Sequence, residues 1–424
     1  MCFHIITIFP EYFQSALNCG QLKKAIDKQL VQFVFINPRD FARDKHKTVD
    51  DRPYGGGAGM VMMLEPLDLA LSCVPEQSRK ILLSPRGRIF SQTLARDLAK
   101  ETNLVLICGR YEGIDARVEQ LHNLESISVG DYVLNGGECA ALNVIEAVLR
   151  FIPGFMSKKD SFEQDSFSNG LLEHAHYTRP EVYKKYKIPE VLSSGNHAQI
   201  AKWRRTNALE TTFKYRPELL LNTTLTEDDR SFLASLPQKH VGKNLYLALL
   251  HFPVLDKFKK ISTTSLTNLD IHDISRVSTT YGLGGYFLVT PLKDQQNLAQ
   301  RLLVHWTKGP SASLNPDRAK ALRHTKVVSN LEEVEQSIEQ KTGQKPVVVA
   351  TSAKQGQVAP VKIRGLLERK PVLLVFGTGY GLAPEVLKKA DLVLQPIGYC
   401  RKYNHLSVRS AVAIIIDRIL SEFW

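Results

Sequence analysis

Residues 104–138 read LVLICGRYEGIDARVEQLHNLESISVGDYVLNGGE, and their glycines are the first residues whose placement suggests chemistry. Gly109 closes the apolar run 104–108, while Gly130, Gly136 and Gly137 bracket one short apolar piece. Glycine lets main chain approach a ligand closely, so two such loops after buried strands outline a pocket walled largely by backbone. A third strand breaks into a loop at Ile81-Leu82-Leu83-Ser84-Pro85-Arg86-Gly87. All three turns are expected at the carboxyl edge of one sheet, where open α/β folds bind small molecules. Other polar residues have plainer uses. Arg150 is a cation placed favourably at a helix C-terminus, and Asp165 or Ser166 has the position of a cap for a helix entered near Phe167. Gly55-Gly56-Gly57 is not followed by Gly-Lys-Ser/Thr, so it lacks the lysine of a phosphate loop. His174 and His176 are i, i+2 neighbours that cannot share a helix face, and no metal cluster is expected.

The elements that must hold these loops follow from periodicity. Residues 3–9 are apolar and β-branched, 11–30 carry Phe13, Leu17, Leu22 and Ile26 at helical spacing, and 31–36 form a second strand. This βαβ start predicts an α/β fold. Residues 37–59 are long, polar and glycine-rich, a composition usual in functional or disordered loops. Met60, Met62 and Met63 behind them suit core filling. An apolar helix at 142–152 stops at Pro153-Gly154, and the serine-rich stretch 155–170 reads as a linker. Residues 180–237 are helical and basic in places. After a short linker a new α/β pattern begins at 245, with strands at 285–290, 346–351, 372–376 and 392–394.

At 424 residues and 43% hydrophobic, the chain is long enough for two or three domains. No apolar run approaches the roughly 20 residues that cross a bilayer, and residues 1–5 lack the basic start of a signal peptide. Six cysteines without a CxxC pair predict reduced thiols and a cytoplasmic protein. The net charge of +12 is uneven: residues 1–240 hold 30 Lys plus Arg against 29 Asp plus Glu, and residues 241–424 hold 25 against 14. That excess favours a polyanionic partner such as RNA, bound less tightly as salt rises.

Cys108-Gly109-Arg110-Tyr111-Glu112-Gly113-Ile114-Asp115 and Gly130-Asp131-Tyr132-Val133-Leu134-Asn135-Gly136-Gly137-Glu138 closely resemble the bacterial tRNA (guanine-N(1))-methyltransferase family. The resemblance runs from Phe9-Pro10 to about Pro237. It implies a parallel-sheet domain of the SPOUT superfamily with a deep trefoil knot, an exception to the usual topology rules. It implies S-adenosylmethionine as cofactor, held against Leu83, Ser84, Pro85, Gly109, Tyr111, Glu112, Val129, Gly130, Tyr132, Leu134, Gly136 and Gly137. The segment Asp165-Ser166-Phe167 with Gly170-Leu171-Leu172 and His176-Tyr177-Thr178-Arg179-Pro180 matches the one that carries the family's catalytic base, a role Asp165 can combine with a cap. The substrate implied is tRNA, methylated at N1 of the guanosine 3′ of the anticodon. That nitrogen carries a proton, so a positioned carboxylate must remove it, and Arg150, by family match and charge, would stabilise negative charge growing at O6. The resemblance further implies a homodimer, with Asp50-Asp51-Arg52-Pro53-Tyr54-Gly55-Gly56-Gly57 near the substrate side and the subunit contact, and magnesium dependence without an identifiable ligand set.

The expected organisation is a catalytic domain at 1–155, a linker at 156–170, a small helical tRNA-binding domain at 171–237, a linker at 238–244 and a second SPOUT-like α/β domain at 245–424. Within the last, Val372-Leu373-Leu374-Val375-Phe376-Gly377-Thr378-Gly379-Tyr380-Gly381 could be a dinucleotide fingerprint. Leu394-Gln395-Pro396-Ile397 and Tyr403-Asn404-His405-Leu406-Ser407-Val408-Arg409-Ser410-Ala411 instead resemble the last cofactor loops and closing helix of SPOUT methyltransferases. Three uses stay open for this domain: a second RNA methyltransferase, a basic RNA-gripping copy, or a partner for the first domain. A non-catalytic RNA-binding protein is the alternative for the whole chain.

Overall fold

A computed structural model describes residues 1–156, 165–236, 241–308, 310–398 and 403–421. The chain divides into two compact units, Met1–Leu233 and Ala234–Trp424.

In the first unit, β1 (Cys2–Ile6) leads through α1 (Gly20–Asp27) to β2 (Gln32–Ile36). A short antiparallel pair, β3 (Asp50–Asp51) and β4 (Val61–Met62), precedes α2 (Leu64–Ser72). Then come β5 (Arg79–Ile89), α3 (Gln92–Leu98), β6 (Asn103–Cys108), α4 (Ala116–Leu121), β7 (Glu125–Ser128) and α5 (Glu138–Leu149). The sheet order is β2-β1-β6-β5-β7, and every pair is parallel. Strand side chains alternate between faces. Phe3, Ile5, Ile81, Leu104 and Leu106 therefore pack with α5 on one side, and Ile6, Leu82, Val105 and Ile107 pack with Met62, Leu67 and Leu71 on the other. Continuous apolar runs are what a parallel sheet covered on both faces requires. Each fully buried Leu, Ile or Val contributes about 1.5–3 kcal/mol.

Four local expectations need correction. The strand expected to break into a loop at Ser84-Pro85-Arg86-Gly87 runs on as β5 to Ile89, with its register against β7 shifting between Leu83 and Arg88. The helix expected over 11–30 is broken into a 3-10 turn at Pro10–Phe13, one turn at Gln14–Leu17 and α1, because the Asn18 amide bonds back to the Gln14 carbonyl and Gly20 takes a φ of +60°. The helix expected from 142 begins at Glu138, since Gly137 serves as its N-cap and Glu138 finds buried partners. No helix is entered near Phe167. Residues 165–170 form a turn closed by Ser168 N–H to the Asp165 carbonyl at 3.1 Å, and Phe167 has a φ of +71°. The capping reading of Asp165 and Ser166 falls with that helix. The linker expected over 156–170 lies partly outside the described residues, as do residues 238–240. The unit continues through the hairpin β8 (Val182–Tyr183) and β9 (Tyr186–Lys187) to α6 (His197–Tyr215) and α7 (Glu227–Ser235).

The second unit holds β10 (Leu245–Leu250), the hairpin β11 (Val254–Leu255) and β12 (Ile261–Ser262), then β13 (Gly285–Val289), β14 (Thr325–Val328), β15 (Val347–Thr351), β16 (Val372–Gly377) and β17 (Leu392–Leu394). Its parallel sheet runs β14-β13-β10-β16-β15-β17. The wiring repeats that of the first unit. In each, the first strand lies between the second strand and the penultimate one, and the last strand sits at the far edge. β14 extends the opposite edge, and its short sequence TKVV gave little sign of it.

Candidate active site

Because β6, β5 and β7 are parallel neighbours, the turns that follow them open at one edge of the sheet. Glycine is needed there for close approach. A Cβ on Gly137 would stand 2.6 Å from Cys108 Cα, one on Gly136 2.2 Å from Arg110 Nε, and one on Gly130 2.4 Å from the Tyr132 ring. Gly137 N–H donates to the Gly109 carbonyl at 3.0 Å, which draws the turns after β6 and β7 together. The turn after β6 is also laced to the stretch around β4: Glu112 N–H reaches the Met60 carbonyl at 2.9 Å and Asp115 N–H the Met62 carbonyl at 3.0 Å. Met62, as expected of a core residue, is buried.

One buried polar group ties this loop pair to the sheet. Glu138 is 1% exposed, accepts a hydrogen bond from Thr7 Oγ1 at 2.8 Å, and lies 2.9 Å from the Arg110 guanidinium. The Arg110 guanidinium also stacks over the Phe9 ring, 4.6 Å from its centre. Sequence reading had passed over Arg110, Glu138 and Thr7 as site residues. The available signal was a charge directly after a buried strand and a second charge in the first turn of an apolar helix.

The residues expected to line the cofactor pocket differ in burial. Leu83 is buried beneath it, Ser84 accepts a hydrogen bond from Arg86 N–H at 3.3 Å, and Pro85 is exposed. Val129 is half-buried, while Glu112, Tyr132 and Leu134 are exposed. Tyr111 has a φ of +60°. Burial, and then the neighbouring Asp50, push its phenol above the usual range, while Arg39 acts in the opposite direction. Cys108, buried beside Glu138, has its thiol pushed well up and is no nucleophile.

Arg150 and Asp165, fifteen residues apart, form an ion pair. Arg150 is the C-cap of α5, so its expected place at a helix C-terminus is confirmed. A carboxylate beside a guanidinium can accept a proton and hold negative charge next to it. The twelve residues of α5 carry Arg150 about 18 Å along the axis from the glycine loop at its other end.

Over 172–178 the chain is not helical and forms no regular secondary structure. The argument that His174 and His176 cannot share a face therefore fails. Their ring centres are 4.6 Å apart, and the ligand atoms of Glu173, His174 and His176 all lie within 4.8 Å of one another. In the second unit, a Cβ on Gly377 would stand 2.7 Å from Leu382 N and one on Gly356 2.0 Å from the Leu394 carbonyl, while Asn404 Nδ2 donates to the Ala353 carbonyl. Close-packed strand-end turns thus recur there.

A family model described as tRNA (Guanine-1)-methyltransferase TrmD matches residues 1–222, and one described as SAM-dependent RNA methyltransferase matches residues 244–421. A tRNA (guanine-N(1)-)-methyltransferase of Oleidesulfovibrio alaskensis is 53% identical over 423 residues, covering 100% of each chain. One of Nitratidesulfovibrio vulgaris is 52% identical over 421 residues, 99% of each. A shorter one, of Dehalococcoides mccartyi, is 52% identical over 233 residues, which is 54% of this chain and 94% of its own. The extent of these matches establishes that the chain belongs to the tRNA (guanine-N(1)-)-methyltransferase family.

Proposed function

We propose that this protein transfers a methyl group from S-adenosylmethionine to N1 of the guanosine 3′ of the anticodon in tRNA. The observation that carries the reading is the Arg150–Asp165 pair at one end of the helix whose other end begins in the glycine loop. The loops suit such a cofactor: Gly109, Gly136 and Gly137 keep main chain free of side chains, and the buried Arg110 Nε beside them has no hydrogen-bond partner among the described residues. Leu83, Ser84, Pro85, Gly109, Tyr111, Glu112, Val129, Gly130, Tyr132, Leu134, Gly136 and Gly137 would hold it. Bound there, S-adenosylmethionine supplies an electrophilic methyl group. Asp165 takes the N1 proton of guanine during transfer. Arg150 orients that carboxylate beforehand and then faces the charge that develops toward O6.

The length of α5 supports a homodimer in which the Arg150–Asp165 pair of one subunit serves the cofactor loops of the other. Residues 171–237 would hold the anticodon arm, with Lys184, Lys185 and Lys187 exposed for phosphate contact. The second unit, with its repeated wiring and family match, is read as a second S-adenosylmethionine-dependent RNA methyltransferase domain. No magnesium step is included, because the one converging ligand group among the described residues contains two imidazoles, which suit other metals better. Among those residues no helix is long and apolar enough to cross a membrane, and a tRNA substrate fits a cytoplasmic setting. Incubating the protein with labelled cofactor and two tRNA transcripts, one with guanosine and one with adenosine 3′ of the anticodon, tests the reading. N1-methylguanosine should form only in the first, and equal labelling of both would refute the assigned position.

A further inference from the structure

Residues 172–178 connect the Asp165 turn to the β8–β9 hairpin without regular structure of their own. Within this segment the His174 and His176 rings come together, their centres 4.6 Å apart. Glu173 reaches round to the same place, its Oε1 2.7 Å from His176 Nε2. The backbone beneath them is anchored at successive points. Leu172 N–H donates to Thr212 Oγ1 at 2.9 Å and Ala175 N–H to Asn207 Oδ1 at 2.7 Å, both on α6, and Glu173 N–H donates to Ser166 Oγ at 2.9 Å. The His174 ring packs edge-on against Trp203, which carries Tyr177 as well.

We propose that Glu173, His174 and His176 bind a divalent transition-metal cation of the zinc class. Two imidazoles and one carboxylate form a three-ligand set that leaves a fourth position for water. That donor set favours zinc, cobalt or nickel over magnesium, which selects oxygen. Glu173 Oε1 and His176 Nε2 already lie 2.7 Å apart, so two of the three ligand atoms converge before any cation binds. The charge of Arg204 works against any cation, whereas the Glu173 carboxylate works for it. Through Ser166 the site is joined to the turn that carries Asp165, so an occupied site would stiffen that turn.

The test is titration of the full-length, metal-free protein with Co2+, followed by its visible d–d absorption, and by calorimetry with Zn2+. One equivalent should bind. His176→Ala should abolish the band, and Glu173→Gln should weaken binding more than about a hundredfold, exceeding the loss from removing a mere hydrogen-bond partner of a ligand. Thermal unfolding of each variant without metal shows whether it folds. Absence of a band in the wild type would overturn the proposal, and so would an undiminished band in a folded His174→Ala/His176→Ala double variant.

Discussion

Arg110 and Glu138, 28 residues apart in sequence, meet at 2.9 Å beneath the glycine loops after β6 and β7, with the carboxylate sealed from solvent. The pair joins the turn after β6 to the start of α5, so its loss reaches both the fold and the pocket. Truncating one partner strands a buried charge, which costs about 3–5 kcal/mol. Glu138→Ala should lower the midpoint of thermal unfolding markedly, and Glu138→Gln, which keeps a partner for Thr7, should lower it less. Cofactor affinity measured by calorimetry should fall in both.

Gly136 offers a gentler perturbation of the same place. A methyl there meets the Arg110 side chain, not backbone, so the side chain can yield. Gly136→Ala should fold, with Arg110 displaced from Glu138 and S-adenosylmethionine binding weakened at least severalfold. Gly137→Ala meets Cys108 main chain instead and should be the more damaging of the two to stability.

In the proposed homodimer, the site is assembled from two subunits. Asp165→Ala and Gly136→Val proteins, each inactive alone, should regain methyl transfer when refolded together. Random pairing gives half mixed dimers with one intact site of two, hence about a quarter of wild-type activity. No recovery would place the whole site within one subunit.

The second unit carries a pH dependence of its own. His251 is buried at the end of β10, with Nδ1 3.0 Å from Thr264 Oγ1, and desolvation pushes its pKa down to about 4, partly offset by Asp270. The ordinary unfolded value is about 6.5. Between these values the unfolded chain binds the extra proton, so stability falls as pH drops from about 6.5 toward 4 and changes little from this source above or below that range. Calorimetric unfolding across that window should show the slope, and His251→Gln should flatten it.

Much of this architecture was readable from the chain. The apolar runs at 104–108 and 245–249 announced buried parallel strands, and glycines at strand ends announced the pocket edge. What escaped depended on contacts between distant residues. Nothing local in Arg110 or Glu138 names its partner, and Arg150 and Asp165 were paired by family resemblance before their ion pair was seen. The histidines show the opposite failure. Helical geometry would keep residues two apart on different faces, but the irregular backbone of 172–178 lets the two rings meet.

The most direct measurement is single-turnover methyl transfer to a tRNA transcript with guanosine 3′ of the anticodon, comparing wild type with Asp165→Asn. General-base catalysis of this kind is worth roughly 10²–10⁴-fold. The wild type should form N1-methylguanosine at that one position, and Asp165→Asn should slow the step by that order while still binding cofactor. An unchanged rate in a folded Asp165→Asn protein would contradict the assignment of Asp165 as the base.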